Sequence, residues 1–358
     1  MAYPLAFALL LGFMVLVHEL GHFTIAKLAG IKVEEFGIGF PPRLLALRRG
    51  ETEYSLNAIP LGGFVRMLGE EDPQQPRSFA RAPKRWRVAI LLAGSAMNMV
   101  AAACFFTVAY TAGWPTATQS EVTVREVVAD SPAARAGLQP GDVVLRLAGQ
   151  PIARSDELRA ITEAHLGETL PIEVRRGGGP QTLQITPRTQ WPAGNGPLGI
   201  SIENRPTKIE PVSYPPLEAL VGGVREVGRS IMLTFLVPVL AIQGRVPLEL
   251  LRPVGPVGLY QATAQAADVT VRSGWLFPLL YIGGTVGTGL AVANLLPIPG
   301  LDGGRLLFIV LEAIRGRRVA PEREGLIHLV GMALLVSLVI VITYFDILFP
   351  VSVDFSLR

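Results

Sequence analysis

The chain has little cysteine and little charge. It has 358 residues and a single cysteine, Cys104, so no intramolecular disulfide can form. Charged residues make up only 17% of the chain, hydrophobic residues make up 50%, and the mean hydropathy is +0.41. These values lie outside the range of ordinary soluble globular proteins, so a membrane protein is the default class. Because Cys104 falls in an apolar segment, we interpret it as a residue that faces lipid or another helix, without a redox role.

Long apolar segments are what the chain does have. Residues 3–26, 88–112, 276–296 with a continuation, and 326–349 are each long enough to span a bilayer. The first is too long for a plain signal peptide and has no small-residue cleavage site after it, so we expect it to stay in the mature protein. The predicted fold class is a polytopic α-helical membrane protein with about four transmembrane helices.

The net charge of +3 does not indicate a nucleic-acid partner, because the basic residues follow a membrane pattern. Lysine and arginine gather between the first and second spans, and arginine gathers again between the third and fourth. The positive-inside rule places both connections in the cytoplasm and both termini outside it, with the lipid bilayer as the partner. The central region, about 113–275, is then extracytoplasmic. Trp86, Trp114 and Trp275 fall at predicted span ends, as in an aromatic belt.

Two of the four histidines occur together, in His18-Glu19-Leu20-Gly21-His22 near the end of the first span. Residues four apart on a helix share one face, so both imidazoles can bind one Zn²⁺. Glu19 is left free to act as a general base toward water. Ionisable groups are costly at this depth in a bilayer, and they mark function when they occur there. The alternative is a chance pattern with interfacial histidines.

A third zinc ligand is predicted at Asp302, the aspartate that lies in a comparable apolar context. It belongs to N-L-L-P-I-P-G-L-D-G-G at 294–304, where the prolines must interrupt the third span. Broken backbone at membrane depth is tolerated where it lines a cavity. The third span runs opposite to the first, so Asp302 reaches the same side of the membrane as His18 and His22. Together with an open position these three residues would form a catalytic zinc site. The alternative role for Asp302 is a helix N-cap.

Other polar residues in apolar segments are weaker candidates. Asn294 is predicted to polarise the scissile carbonyl or hold its oxyanion, and an interhelical hydrogen bond is the alternative. Ser95 and Asn98, in the second span, are interpreted chiefly as a face for close helix packing, with direct catalysis as a minor reading. His165 and His328 have no ligand-like neighbours in the sequence and are interpreted as structural.

Residues 31–66 mix apolar and polar positions with glycine and proline punctuation, which is typical of strands. We predict a small membrane-associated β-sheet on the cytoplasmic face. An edge strand there can hold an extended peptide by main-chain pairing. The candidate substrate-binding residues are Phe36, Gly37, Ile38, Gly39 and Phe40. An ordinary surface hairpin has the same composition.

Residues 119–205 have short strands separated by glycine and proline. Strands are predicted at 143–147, 170–176 and 181–186, and a helix around 155–166. The string A-G-L-Q-P-G-D at 136–142 makes this region resemble an inserted α+β PDZ domain of the permuted bacterial type. The carboxylate loop of such a domain precedes the last strand, which would place Leu198, Gly199 and Ile200 in a peptide groove. The alternative role is a size filter or spacer.

Residues 206–275 are predicted to be an interfacial, amphipathic helical region. Residues 217–242 form its main helix, whose apolar half at 231–242 contains Pro238 and is too short to span, although a fifth span is the alternative. Residues 250–267 are expected to pack against the outer membrane face. The remaining predicted segments are a first transmembrane helix at 1–30, a β-region with basic linker at 31–87, a second helix at 88–112, a broken third at 276–314 and a fourth at 326–349.

These motifs together resemble the bacterial site-2 protease family. The resemblance rests on H-E-L-G-H at 18–22, F-G-I-G at 36–39, G-S-A-M-N at 94–98, the PDZ-like insert and the motif at 294–304. Members are zinc metalloproteases that cleave single-span membrane proteins within the bilayer. The resemblance implies that His18, His22 and Asp302 bind zinc, that Glu19 is the catalytic base, and that the 36–39 strand clamps the substrate. Ser95 departs from the family pattern, which usually has proline there.

The resemblance also implies partners and a location. Such proteases usually act after a site-1 protease has trimmed the substrate, and anti-sigma factors and remnant signal peptides are usual substrates. We therefore expect regulated intramembrane proteolysis in a bacterial inner membrane, with the active site within the membrane near the cytoplasmic side. A metal transporter would need a polar path through several spans. A catalytically silent PDZ scaffold would have no use for Glu19 beside three zinc ligands.

Overall fold

A computed structural model describes residues 2–70, 74–192 and 194–355. Its helices are α1 Ala2–Leu28, α2 Lys84–Gly113, α3 Pro132–Ala136, α4 Ser155–Ala164, α5 Pro216–Ile242, α6 Pro256–Ser273, α7 Phe277–Leu295, α8 Asp302–Arg315 and α9 Pro321–Leu348, with a 3-10 turn at Leu248–Leu251. Its strands are β1 Val33–Arg49, β2 Thr52–Met67, β3 Trp114–Val127, β4 Val143–Leu147, β5 Gln150–Pro151, β6 Leu170–Arg176, β7 Gly179–Ile185 and β8 Ile200–Val212. Two compact units emerge: a helical unit, Met1–Trp114 with Ser213–Phe355, and an inserted unit, Pro115–Val212.

Four helices within the described ranges are long and apolar enough to cross a membrane, as predicted. They are Tyr3–Leu28, Lys84–Gly113, Phe277–Leu295 and Glu322–Leu348. The last exposes most of its apolar surface, since only 6% of its most hydrophobic window is buried within the chain. Contiguous apolar surface of that extent needs lipid or another apolar partner to cover it.

Helix α2 is the centre of the helical unit, where it packs against α1, α5 and α7. Small residues let these helices approach closely, as they do in membrane bundles. A Cβ atom added to Gly21 of α1 would lie 2.4 Å from the carbonyl oxygen of Ala93 in α2. The second span therefore meets the first at the H-E-L-G-H segment. This contact confirms the prediction that the second span packs closely against the helix that carries the two histidines.

The β1–β2 pair forms a small sheet with an unusual register. Residues 35–38 of β1 pair with residues 63–66 of β2 on one side and with residues 53–56 of β2 on the other. This double pairing arises because β2 is long enough to turn back along β1, with Gly62 at φ +137° just before Gly63 pairs with Ile38. Residues 36–38 therefore have no free edge, and the prediction of a peptide-binding edge strand there is wrong. The described strands leave the outer edge of residues 63–67 unpaired.

Helix α6 packs against α1, α7 and α9. Its Ala262 and Ala266 belong to a shared apolar core with α7. The expectation that residues 250–267 lie against the outer membrane face stays a prediction. The buried Asp346 of α9 ties the start of α6 in place, because its Oδ2 accepts hydrogen bonds from the backbone N–H groups of Gly255 at 3.0 Å and Gly258 at 2.7 Å.

The inserted unit is a mostly antiparallel sheet with strand order β7-β6-β4-β3-β8, and β5 pairs with β4. The strands predicted at 143–147 and 170–176 are confirmed to the residue, and α4 confirms the helix expected around 155–166. The core is formed by aliphatic side chains such as Val122, Leu147 and Ile172. Strand β8 continues to Val212 beside β3. The prediction that the helical region begins at residue 206 is therefore wrong for residues 206–212, which are part of this strand.

Candidate active site

Three ligand-type atoms converge where α1 meets the start of α8. The Nε2 atoms of His18 and His22 are 3.0 Å apart, and Asp302 Oδ2 lies 3.1 Å from the first and 3.2 Å from the second. Zinc–nitrogen and zinc–oxygen bonds are about 2.0–2.2 Å long, so atoms with this spacing can all reach one ion. Among the described residues, His18, His22 and Asp302 are the His, Cys, Asp or Glu side chains that lie close enough together, three or more at a time, to share one metal ion.

The surroundings of His22 and of Asp302 Oδ2 leave both able to bind a cation. His22 Nδ1 is 2.7 Å from the carbonyl oxygen of Ile90, an acceptor, so Nδ1 carries the proton and Nε2 of the neutral ring presents a lone pair. Asp302 Oδ2 is buried and makes no hydrogen bond of acceptable geometry, although both imidazole nitrogens are near. A proton can bridge two of the three atoms, whereas a metal cation satisfies all of them. The residues present therefore fit zinc.

The turn between α7 and α8 places Asp302. Leu301 is the N-cap of α8 and Asp302 is its first residue, so the alternative N-cap role for Asp302 is wrong. Its carboxylate points at the histidines and still benefits from the positive end of the helix dipole. Two glycines make the turn possible, because a Cβ on Gly303 would lie 2.2 Å from Leu296 O and one on Gly304 would lie 2.4 Å from Ile298 O.

Helix α2 forms the back of the site at Gly94. A Cβ atom there would lie 2.6 Å from both His18 Cε1 and His22 Nε2, so any larger residue would displace an imidazole. Asn98, one turn further along α2, is 1% exposed, and its Nδ2 lies 3.5 Å from His18 Nδ1. Sequence reasoning assigned Asn98 to packing and missed this contact. The missed signal was the four-residue spacing of Gly94 and Asn98, which puts both on the helix face toward the histidines.

Glu19 lies beside the three ligands in a cavity of about 220 Å³. Strand β2 lines this cavity with Phe64, Val65 and Met67, and Glu19 Cγ is 3.8 Å from where a Cβ on Gly63 would lie. None of residues 36–40, the predicted clamp, is among the lining residues. The strand next to the reactive groups is therefore residues 63–67, and the predicted segment lies behind it.

An ion pair forms the far wall of this cavity. Arg305, one helical turn after Asp302, donates from Nη1 to Glu70 Oε2 at 2.7 Å, and both residues line the cavity. Neither was a sequence candidate. Arg305 reaches the cavity because residues three apart on a helix share a face, and Asp302 lies three residues before it.

None of the other predicted residues lines the cavity beside the three ligands. Asn294 is half-buried near the end of α7, and its side chain makes no hydrogen bond within the described chain. Ser95 is buried on α2, next to Gly94. His328 Nδ1 accepts the backbone N–H of Gly300 at 3.0 Å, which supports the turn before Asp302. His165 is hydrogen-bonded to Glu168, so structural roles fit both histidines.

The inserted unit has a groove of about 220 Å³ between α4 and β8. Leu198, Gly199 and Ile200 line it, as predicted, together with Arg159 and Thr162 of α4. Leu198 is 4% exposed and packs into the core of the inserted unit. Gly199 adopts φ +72° at the turn into β8, a conformation that favours glycine.

This chain combines helices apolar enough to span a membrane with two histidines and an aspartate that can bind a metal, and with a glutamate beside them. That combination defines the class of membrane metallohydrolases. Comparison with known proteins gives the family: the profile of peptidase family M50 matches residues 6–338. The chain belongs to that family, which is the family of the site-2 proteases, and it is a zinc metalloprotease.

Relatives match along nearly their whole length. A Clostridium perfringens protein, named provisionally as a zinc metalloprotease, is 34% identical over 342 residues, which cover 94% of this chain and 96% of the relative. Zinc metalloprotease RasP of Oceanobacillus iheyensis is 29% identical over 433 residues, which cover 96% of this chain and 98% of the relative. Among solved structures, the PDZ domain of an SdrC-like protein from Listeria monocytogenes matches 24% of this chain and 92% of its own, at 25% identity and a TM-score of 0.22.

Proposed function

We propose that this zinc metalloprotease hydrolyses peptide bonds within the transmembrane segments of single-span membrane proteins. The observation that carries the proposal is the position of His18, Glu19 and His22 inside an apolar helix long enough to span a membrane. Groups that bind a metal and move a proton at that depth have a use where the substrate bond is also within the bilayer.

His18 Nε2, His22 Nε2 and Asp302 Oδ2 would hold the zinc ion. When bound, zinc polarises the scissile carbonyl and makes water acidic enough to be activated near neutral pH. The Ile90 carbonyl would fix the orientation of His22 by accepting from Nδ1, as partners behind metal ligands commonly do. Asn98 would do the same for His18 with its amide turned so that the buried, unpartnered Oδ1 accepts from His18 Nδ1.

Glu19 would move the proton. Its carboxylate takes a proton from the attacking water and later delivers it to the nitrogen of the leaving amine. Residue 19 is one step round the helix from His18, so it borders the ligands without competing for the ion. Asn294 remains a candidate for holding the carbonyl oxygen if the substrate brings that oxygen near the end of α7.

The substrate would bind as an extended strand along residues 63–67 of β2. That edge is unpaired among the described strands and lies next to Glu19. Main-chain pairing holds a peptide irrespective of its side chains, and it requires that the substrate helix first unwind. Residues 36–40 would support this strand from behind.

We further propose the cellular setting that the family resemblance implies. The protein would lie in a bacterial inner membrane, with its termini and the inserted unit extracytoplasmic and the zinc site near the cytoplasmic side. Substrates would be anti-sigma factors or remnant signal peptides already cut by a site-1 protease. The groove at Leu198–Ile200 would receive the new carboxyl end or exclude uncut substrates by size.

The direct test is the Glu19→Gln variant, reconstituted with a single-span substrate. Cleavage should fall by about 10²–10⁴-fold, the usual contribution of general acid–base catalysis. Zinc content should stay at the wild-type level. The same variant, expressed in cells, should retain uncut single-span proteins that membrane proteomics can identify. Undiminished cleavage by Glu19→Gln would remove the assignment of Glu19.

A further inference from the structure

The outer edge of residues 63–67 already has a partner at one end. Leu68 N–H donates to the Lys32 carbonyl oxygen at 2.9 Å, on the side of β1. Successive residues of a strand direct their N–H groups to opposite sides, so the N–H of Met67 is on the outer side. It donates to Glu70 Oε1 at 3.3 Å. A carboxylate of the chain therefore occupies the position where a paired peptide would offer a carbonyl oxygen.

Arg305 holds that carboxylate in place. Its Nη1 donates to Glu70 Oε2 at 2.7 Å, so the two carboxylate oxygens have different partners, one on β2 and one on α8. Hydrogen bonds between a guanidinium and a carboxylate are charge-assisted and stronger than neutral ones. The ion pair thus joins the end of the edge to the helix that begins with the metal ligand Asp302.

The ion pair lies one strand step from the reactive groups. Glu70 and Arg305 line the same cavity as Glu19 and Val65. The backbone N–H of Val65 faces the Glu19 carboxylate, and the next outward N–H, that of Met67, donates to Glu70. Two residues of a strand span about 7 Å. The occupied end of the edge is therefore at a short and fixed distance from the general base.

This arrangement limits how far an extended peptide can pair. The peptide can accept a hydrogen bond from Val65 N–H, but it can pair with Met67 N–H only if Glu70 leaves. Arg305 keeps Glu70 there and connects the edge to α8, so the ion pair lies across the continuation of the strand. The rest of the peptide has to turn away or stay helical at that point.

We propose that the Glu70–Arg305 ion pair is a stop, which ends the paired segment of the substrate and thereby determines which peptide bond is cleaved. This inference rests on the proposed function, in which the substrate pairs with residues 63–67. Glu70 and Arg305 act as positioning residues. Because side chains alternate along a strand, a substrate that advances past the stop should move by two residues, which keeps the same side chains toward the cavity.

The first test identifies the cleavage products of the full-length protein, reconstituted with a single-span substrate, by mass spectrometry. Glu70→Ala removes both contacts of the stop. The product cut two residues from the wild-type site should increase at least about tenfold relative to the wild-type product, as expected when a charge-assisted hydrogen bond is lost. Arg305→Ala should give the same new product with a smaller increase, because Glu70 can still accept from Met67 N–H.

Glu51→Ala is the matched control. Glu51 Oε2 accepts from Arg77 Nη1 at 2.7 Å, so this variant also breaks an ion pair between a glutamate and an arginine. Neither residue lines the cavity beside Glu19. The ratio of the products should stay at the wild-type value in this variant. A change equal to that of Glu70→Ala would mean that general loosening moves the cleavage site, and the stop would be overturned.

A second test does not need turnover, so it applies even if Glu70→Ala is inactive. Val65→Cys is combined with Glu19→Gln and Cys104→Ala, and substrates with single cysteines along the transmembrane segment are cross-linked to it by disulfide formation. The substrate position that cross-links most strongly should move by two residues when Glu70→Ala is added. Glu51→Ala should leave that position unchanged.

Unchanged cleavage sites together with unchanged cross-links in Glu70→Ala would overturn the stop and leave the proposed function intact. A protein with Glu70 in place that cleaves the substrate but never cross-links it at residue 65 would contradict the substrate strand itself, and the stop with it. Absence of cleavage by the wild-type protein would contradict the proposed function.

Discussion

Two regions of the helical unit bury an aspartate carboxylate, and they differ in the hydrogen bonds that they provide to it. Asp346 is fully buried, and it accepts hydrogen bonds from the backbones of Gly255 and Gly258 and from Arg252 Nη2 at 3.1 Å. Asp302 Oδ2 is also buried, but it has no hydrogen-bond partner within the described chain, although two imidazole nitrogens lie 3.1 and 3.2 Å away. The chain satisfies the first carboxylate by itself and leaves the second for a cation. That difference separates a structural aspartate from a metal ligand.

Asp142 of the inserted unit resembles Asp346 in this respect. It is 1% exposed, and it accepts from Arg176 Nε and Nη2, both at 2.7 Å, and from the backbone N–H of Gln139 at 2.8 Å. All these donors come from the chain. The comparison therefore predicts that changes near Asp302 affect zinc and catalysis, whereas changes at Asp346 and Asp142 affect stability.

Among variants of residues around the two aspartates, the largest effect is expected from Gly94→Ala. The added methyl group would collide with both imidazoles and displace at least one of them. Misplacement of a catalytic group by about 1 Å can cost about 10²-fold in rate, so we expect at least that loss of cleavage together with reduced zinc content. Cleavage assays and elemental analysis of the purified variant measure the two effects.

Gly289→Ala is the matched control for that variant. Gly289 lies in α7, is exposed, and has nothing within 4 Å of an added Cβ. It should keep wild-type zinc content and activity. Full activity in Gly94→Ala would mean that the histidines are not held where α2 places them.

Asp346→Asn should destabilise the helical unit without changing zinc content. The amide cannot offset the charge of Arg252, and its NH₂ group would face backbone donors if it replaced Oδ2. Breaking a buried charge pair costs about 3–5 kcal/mol. Chemical unfolding in detergent measures the loss of stability. Reduced zinc per protein in a variant that remains folded would contradict the proposed division between the two aspartates.

The smallest effect is expected at Asp142, and it depends on pH. Burial alone would raise the pKa of Asp142, but hydrogen bonds from Arg176 and Gln139 outweigh it and hold the pKa below its usual value. A depressed carboxylate pKa contributes stability above the unfolded pKa, about 3.9, and that stability is lost as pH falls through the folded pKa.

Asp142→Asn should therefore cost the inserted unit about 1–3 kcal/mol near neutral pH and less in acid. Hydrogen exchange of the β4 and β6 amides in the full chain reports this locally. A variant whose deficit stays constant from neutral to acidic pH would show that Asp142 stabilises the unit by packing and not by its charge.

Local patterns in the sequence were sufficient for the parts of the molecule that depend on local periodicity. The spans, the strands at 143–147 and 170–176, and the pairing of His18 with His22 all follow from spacing along one element. Asp302 could be predicted because its context is as apolar as that of the histidines, although its exact role at the start of α8 depends on the turn stabilised by Gly303 and Gly304.

Features that depend on long-range pairing could not be predicted in this way. The composition of residues 31–66 indicated strands but not that β2 pairs with both sides of residues 35–38, which moved the open edge to residues 63–67. The contact of Asn98 with His18 and the ion pair of Glu70 with Arg305 join residues 80 and 235 positions apart. Helical spacing indicates which face Asn98 and Arg305 occupy, but it does not indicate which distant residue each one contacts.

Zinc content of the purified Asp302→Asn variant tests the central claim most directly. Elemental analysis should find about one zinc per wild-type chain and a near-complete loss in Asp302→Asn after dialysis, because a three-ligand site with one ligand removed binds the ion far more weakly. Glu19→Gln and Asp346→Asn, measured in parallel, should keep their zinc. Full zinc occupancy in a folded Asp302→Asn protein would contradict the assignment of His18, His22 and Asp302 as the metal site.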